Sequence, residues 1–180
     1  MQNIEALCGE ILALGAQKAG GIAVGEIPFH AELRRACEQN FCGAYGKNYM
    51  CPPHCGDVET LIERARTYRS MILFQRVYPT EDSFDIESMQ AGARAFKEIV
   101  RNVGAYARTL DTDTLVLGNG GCDLCEECAV VRGEPCLHPE QAYSSLEAYG
   151  IEVSRVAPLC GMRYINGVHT VTYFGALFVR

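Results

Sequence analysis

DIESMQAGARAFKEIVRNVGAYARTLDTDTLVLGNGG, residues 85–121, is the stretch whose reading decides the fold. Its apolar residues Ile86, Met89, Ala93, Phe96, Val100, Val103, Ala107 and Leu110 recur in steps of three and four, which predicts a helix from Asp85 to Leu110. Gly92 and Gly104 interrupt the stripe, so it reads as one helix packed on a core, not as a coiled coil. The following DTLVLGNGG reads as a buried strand that empties into a glycine-rich loop. A long core helix running into a buried strand is the unit of an α/β layer fold.

The pattern continues on both sides. Asn3 is placed to cap a first helix bearing Ile4, Leu7, Ile11 and Leu14, with Cys8 on the same face as a small buried hydrophobe. GIAVGEIPF has strand composition, HAELRRACEQN reads as a short helix, and Asp57 is an N-cap for a helix carrying Val58, Leu61, Ile62 and Ala65. SMILFQRVYP is the best strand candidate, stopped by Pro79. Downstream, PEQAYSSLEAYG predicts a helix with Pro139 in its first turn and Gly150 at its end. IEV and VHTVTYFGALFV add strands. The expected architecture is α/β: a mixed sheet of about five strands with covering helices and two cysteine-rich metal-binding loops, all within a single domain over residues 1–180.

Sixteen basic residues against 22 acidic ones give a formal charge of -6, which disfavours non-specific binding to nucleic acid or to an anionic membrane. No stretch approaches the roughly 18–20 apolar residues that span a bilayer. The opening MQNIEALCGEILALG has no basic leader, so a cytoplasmic location is expected. In that compartment thiols stay reduced, and ten cysteines read as metal ligands or redox groups before they read as disulfides.

Eight of the ten fall into two groups. The second is Cys122-x2-Cys125-x2-Cys128-x7-Cys136, in which three thiolates at three-residue steps wrap a loop around a cubane cluster and a later cysteine closes the last iron. Zinc is the competitor, but its usual brackets are two C-x2-C pairs parted by a longer loop, and a three-cysteine run matches that poorly. Gly118, Gly120 and Gly121 just upstream either bring backbone amides toward cluster sulfurs or simply make a tight turn after the strand.

The first group is Cys37-x4-Cys42-x8-Cys51-x3-Cys55, with Pro52 and Pro53 stiffening the loop between its last two members. His54 lies among them, so Cys/His zinc coordination and a second cluster stand level on spacing. Tyr45, Lys47, Asn48 and Tyr49 are either ligand-recognising or solvated loop residues. Cys160 packs, replaces a ligand or stands as a free thiol. The four histidines form no nucleophilic constellation, and GNGG matches neither dinucleotide nor P-loop spacing.

YGKNYMCPPHC, CDLCEECAVVRGEPCLHPE and SSLEAYGIEV together resemble the predicted metal-binding family known as domain of unknown function 2284, over nearly the whole chain. The resemblance implies a cysteine-bound metal centre of iron-sulfur type. It carries Cys42 and Cys51 over from the first motif and Cys122, Cys125, Cys128 and Cys136 from the second, while Cys37 and Cys55 match less closely.

The expected protein therefore binds a 4Fe-4S cluster at the second group, with a second cluster at the first group left open against zinc, and transfers electrons or supports a redox partner protein. A cluster-dependent enzyme with one open iron and a zinc-stapled interaction module are the alternatives. A homodimer is the default expectation for such a domain.

Overall fold

The computed structural model describes residues 3–180. Asn3 opens α1 (Ile4–Ala13), its Oδ1 accepting the Glu5 amide at 3.0 Å and the Ala6 amide at 3.4 Å. β1 (Lys18–Ala23) and the short α2 (Arg34–Glu38) follow. Asp57 then caps α3 (Val58–Arg66) by accepting the Glu59 and Thr60 amides, and Leu61, Ile62 and Ala65 turn inward. β2 (Ser70–Pro79) coincides with the predicted strand, and α4 (Ile86–Ala107) is the long helix read from periodicity. Asp85 accepts the Glu81 amide at 2.8 Å and caps α4 through the Ser88 amide at 3.0 Å, and these bonds, the Glu81 one foremost, hold its carboxyl below the usual range. β3 (Thr114–Leu117), α5 (Val153–Leu159) and β4 (Thr170–Val179) complete the chain.

The sheet has four strands in the order β1-β2-β4-β3, and every neighbouring pair is antiparallel. This corrects the expectation of a mixed sheet of about five strands. IEV does not make a strand: Ile151 forms a single bridge to Phe29, and Val153 already begins α5, whose Val153, Val156 and Ala157 share the helical three- and four-residue spacing. Nor is 139–150 an α-helix. Gly118 donates to the Ser144 carbonyl at 2.9 Å and accepts from the Leu146 amide at 3.3 Å, so a non-local pairing engages backbone that a helix would need. A 3-10 turn at Glu147–Tyr149 remains, ended by Gly150 at φ 68°. GIAVGEIPF is likewise shorter as a strand, since Val24–Glu26 forms a 3-10 turn whose first amide bonds to the Arg69 carbonyl.

Because β2 lies inside the sheet, it is covered on both faces and reads as a continuous apolar run. Ile72 and Phe74 meet Ile11 of α1 and Phe96, Val100 and Val103 of α4 on one side. Met71 and Leu73 meet Ala65 of α3 and Val156 of α5 on the other. Each large side chain buried in this way contributes about 1.5–3 kcal/mol. Cys8, expected to be buried, is half-buried and packs against the first of these cores, while Cys160 is buried within the second. Burial pushes the Cys160 thiol up to about 11, as suits a packing residue.

β3 is only four residues long and pairs with Ala176–Val179, so among the described residues no strand pairs with β4 from Thr170 to Gly175 on that side. Among the described residues no helix is long and apolar enough to cross a membrane.

Candidate metal centre

The second cysteine group begins five residues beyond β3 and is gripped by α4. Lys97 donates to the Gly121 carbonyl at 2.6 Å and pairs with Asp123 at 3.2 Å, while Arg101 reaches Asp123 at 3.3 Å. Downstream, Tyr143 lies against Gly104 of α4, where any side chain would strike its hydroxyl. That hydroxyl donates to the Glu140 carbonyl at 2.9 Å and accepts from Arg108 at 3.1 Å, so the return of the loop is fixed as well.

Between these anchors Cys122, Cys125, Cys128 and Cys136 all line one small cavity, together with Asn48 from the first group's loop. Cys128 precedes a 3-10 turn, Ala129–Arg132, that ends at Gly133 with φ 69°, and this turn brings the chain back toward Cys136. All four thiols are half-buried. Burial raises the Cys122 thiol, and the neighbouring Asp123, Cys136 and Cys128 add to the rise.

The first group is assembled differently. Cys37 sits on α2, and Cys42, Cys51 and Cys55 follow in a chain of turns that includes a cis Pro52–Pro53 peptide bond. The four lie close enough to act on one another: Cys51 is pushed up to about 11, mainly by burial, with Cys42, Cys55 and Cys37 adding repulsion and Asn48 opposing it. Arg34 binds this group to the rest of the molecule. Its guanidinium donates to the Gly56 carbonyl at 3.1 Å, to the Ala148 carbonyl at 3.0 Å and toward the Cys55 sulfur at 3.6 Å. Burial raises the Cys37 and Cys55 thiols, and Arg34 is the main force against that rise in both.

The two groups touch. A Cβ on Gly121 would lie 3.1 Å from the Ala44 Cβ, 3.2 Å from the Asn48 amide nitrogen and 3.4 Å from the Cys51 sulfur, so glycine is what lets the loops approach. Asn48 is buried at this junction, and its Oδ1 accepts the Met50 amide at 3.0 Å. The Tyr49 hydroxyl donates to the Glu134 carbonyl at 2.7 Å, a second strut between the groups.

Each quartet read from spacing is thus gathered into one neighbourhood by the fold. Among the described residues, however, no three His, Cys, Asp or Glu side chains are grouped as the ligands of a single metal ion. His54 is exposed and lines a separate cavity of about 480 Å³ with Cys55 and Cys136. Of the four loop residues weighed as recognition groups, Lys47 is solvated, while Asn48 is buried between the cysteines.

The model of a predicted metal-binding protein family, domain of unknown function 2284, matches residues 21–179. The chain belongs to that family. Both cysteine groups and their supports fall inside the matched span. No curated protein and no solved structure matches the chain. Within this predicted metal-binding family member, Arg34 is the support that the sequence reading missed, while Asn48 and Gly121 were singled out there without the contact that joins them. Asn48 carried a signal, being a short amide three residues before Cys51; Arg34 carried none, since its partners are carbonyls distant in sequence.

Proposed function

We propose that the chain is an iron-sulfur protein that carries electrons or supports a redox partner. One 4Fe-4S cluster is held by Cys122, Cys125, Cys128 and Cys136, and a second by Cys37, Cys42, Cys51 and Cys55. The observation that carries the reading is that all four thiols of the second group, and no other cysteine, line one cavity. Three cysteines at three-residue steps followed by a fourth match the spacing of a cluster better than the paired brackets usual for zinc. A cytoplasmic site of action, where thiols stay reduced, is part of this reading.

A bound cluster supplies one-electron chemistry at a potential set by its surroundings. The protein's part is to hold and shield it. Half-buried thiols with raised pKa give up their protons on binding iron, so loading releases protons and strengthens as pH rises. The Asn48 amide beside Cys51 is a hydrogen-bond donor to a thiolate, and such bonds raise the potential.

A second reading has an observation of its own. Cys37 and Cys42 line a cavity of about 610 Å³, so a first-group centre with one open metal position would face space for a small molecule. In that reading the second cluster feeds electrons to chemistry at the first.

Cys125→Ser tests the leading reading. Prepared without oxygen, the variant loses one cluster's iron and sulfide and keeps the fold by circular dichroism. Iron and sulfide equal to the parent's would remove Cys125 from the ligand set.

A further inference from the structure

The 610 Å³ cavity has a structural origin. β3 stops at Leu117 while β4 extends from Thr170, so among the described residues the edge of β4 over Thr170–Gly175 has no strand beside it. Besides Thr172–Phe174 of β4, the cavity is lined by Ala93 and Lys97 of α4, the turn at Ser145–Glu147, and α2 with the chain as far as Cys42. These walls enclose a volume within the range of about 300–1,000 Å³ typical of small-molecule sites.

The walls are mainly apolar and aromatic. Tyr164 stacks on Phe174, with ring centroids 5.8 Å apart and planes 16° from parallel, and Phe41, Leu146 and Val153 add further apolar surface. Phe41 is almost fully exposed and Tyr164 about half exposed, so the mouth too is apolar.

Of the two charged groups in the lining, one is already engaged. Lys97 is held by Asp123 and the Gly121 carbonyl. The other, Glu147, is reached by solvent within the cavity yet crowded by protein, and this crowding raises its carboxyl above the usual range. Ser145 offers it a hydrogen bond, and among the described residues no cation pairs with it. Arg34, nearby through the Ala148 carbonyl, is committed to backbone carbonyls and Cys55.

From an aromatic-walled cavity whose one uncommitted charge is a carboxylate, we infer that this space is a binding site for a small organic amine, its apolar body against Tyr164 and Phe174 and its ammonium on Glu147. Ammonium recognition by a carboxylate among aromatic faces combines ion pairing with cation–π attraction. An acid of the same shape would meet the like charge of Glu147, and a neutral alcohol would forgo the ion pair. The site adjoins Cys37 and Cys42, which places the bound amine beside the first cysteine group.

Calorimetric titration of the full chain with benzylamine tests the inference, with benzyl alcohol and phenylacetate as shape-matched controls. Benzylamine binds saturably at one site, at least tenfold more tightly than either control. Glu147→Gln abolishes that preference and leaves amine and alcohol alike, with metal content unchanged. Ala93→Trp, which fills the cavity from α4, blocks benzylamine. Absence of saturable benzylamine binding, a preference for phenylacetate, or amine binding unchanged in Glu147→Gln would overturn the assignment. The titration reads binding whatever the thiols hold, so a zinc-loaded, sulfide-free protein would end the cluster reading and leave this one standing.

Discussion

The two cysteine groups are equal in number of thiols and opposite in construction. The second is clamped along one side to α4 by Lys97, Arg101 and Asp123, and it closes around its own cavity. The first is suspended from Arg34, which bonds to backbone carbonyls, and two of its cysteines look out on a larger space. On the proposed reading, one arrangement would hold a centre and the other present one. The difference teaches that thiol count alone does not assign a role: the surroundings of the two quartets differ.

The largest test of that division exchanges ligands. Cys128→Ser empties the second site and Cys51→Ser the first, and metal analysis of the two variants shows each group losing its own centre and retaining the other's. Loss of all metal in both would mean that the groups form a single site. Next in size is Arg34→Ala, which removes two hydrogen bonds from a charged donor to backbone and costs about 1.5–3 kcal/mol. Urea unfolding measures the cost, and the first group loses metal while the second keeps it.

Gly121→Val attacks the contact between the groups. Its side chain would press on Ala44, Asn48 and Cys51 at distances where neighbours must give way, costing roughly 1–3 kcal/mol. Metal content of both groups falls together; a loss confined to the second would show that the contact is incidental. The smallest effect belongs to Asp123→Asn. Asp123 is one-third exposed while Lys97 and Arg101 are mostly buried, so screening is partial, and the variant loses about 1 kcal/mol, slightly less in high salt.

Much of the fold was legible. The caps at Asn3 and Asp57, the stripe of α4 and the run of β2 are local signals, and local signals sufficed for them. Strand partners are not local. Nothing in VHTVTYFGALFV says that it inserts antiparallel between β2 and β3, so the sheet type and the number of strands were not readable. The stretch 139–150 misled for the same reason, because Gly118 competes for its backbone from more than twenty residues away.

At the site, both quartets were visible as spacing, and the fold brings each together. Their supports were not visible. Arg34 meets the Ala148 carbonyl across a separation of 114 residues, and the closeness of Gly121 to Cys51 exists only once the two loops are packed. The cavity beside Cys37 was hidden more deeply, since it lies along an edge of β4 that among the described residues has no strand beside it.

The central claim is that the second group holds a 4Fe-4S cluster. Its most direct measurement is iron and acid-labile sulfide per chain in anaerobically prepared protein, read with the electron spin resonance spectrum after reduction. The account predicts a brown protein with about four iron and four sulfide for each cluster and a reduced-state signal that Cys125→Ser diminishes. A colourless protein with stoichiometric zinc, no sulfide and no signal would contradict it.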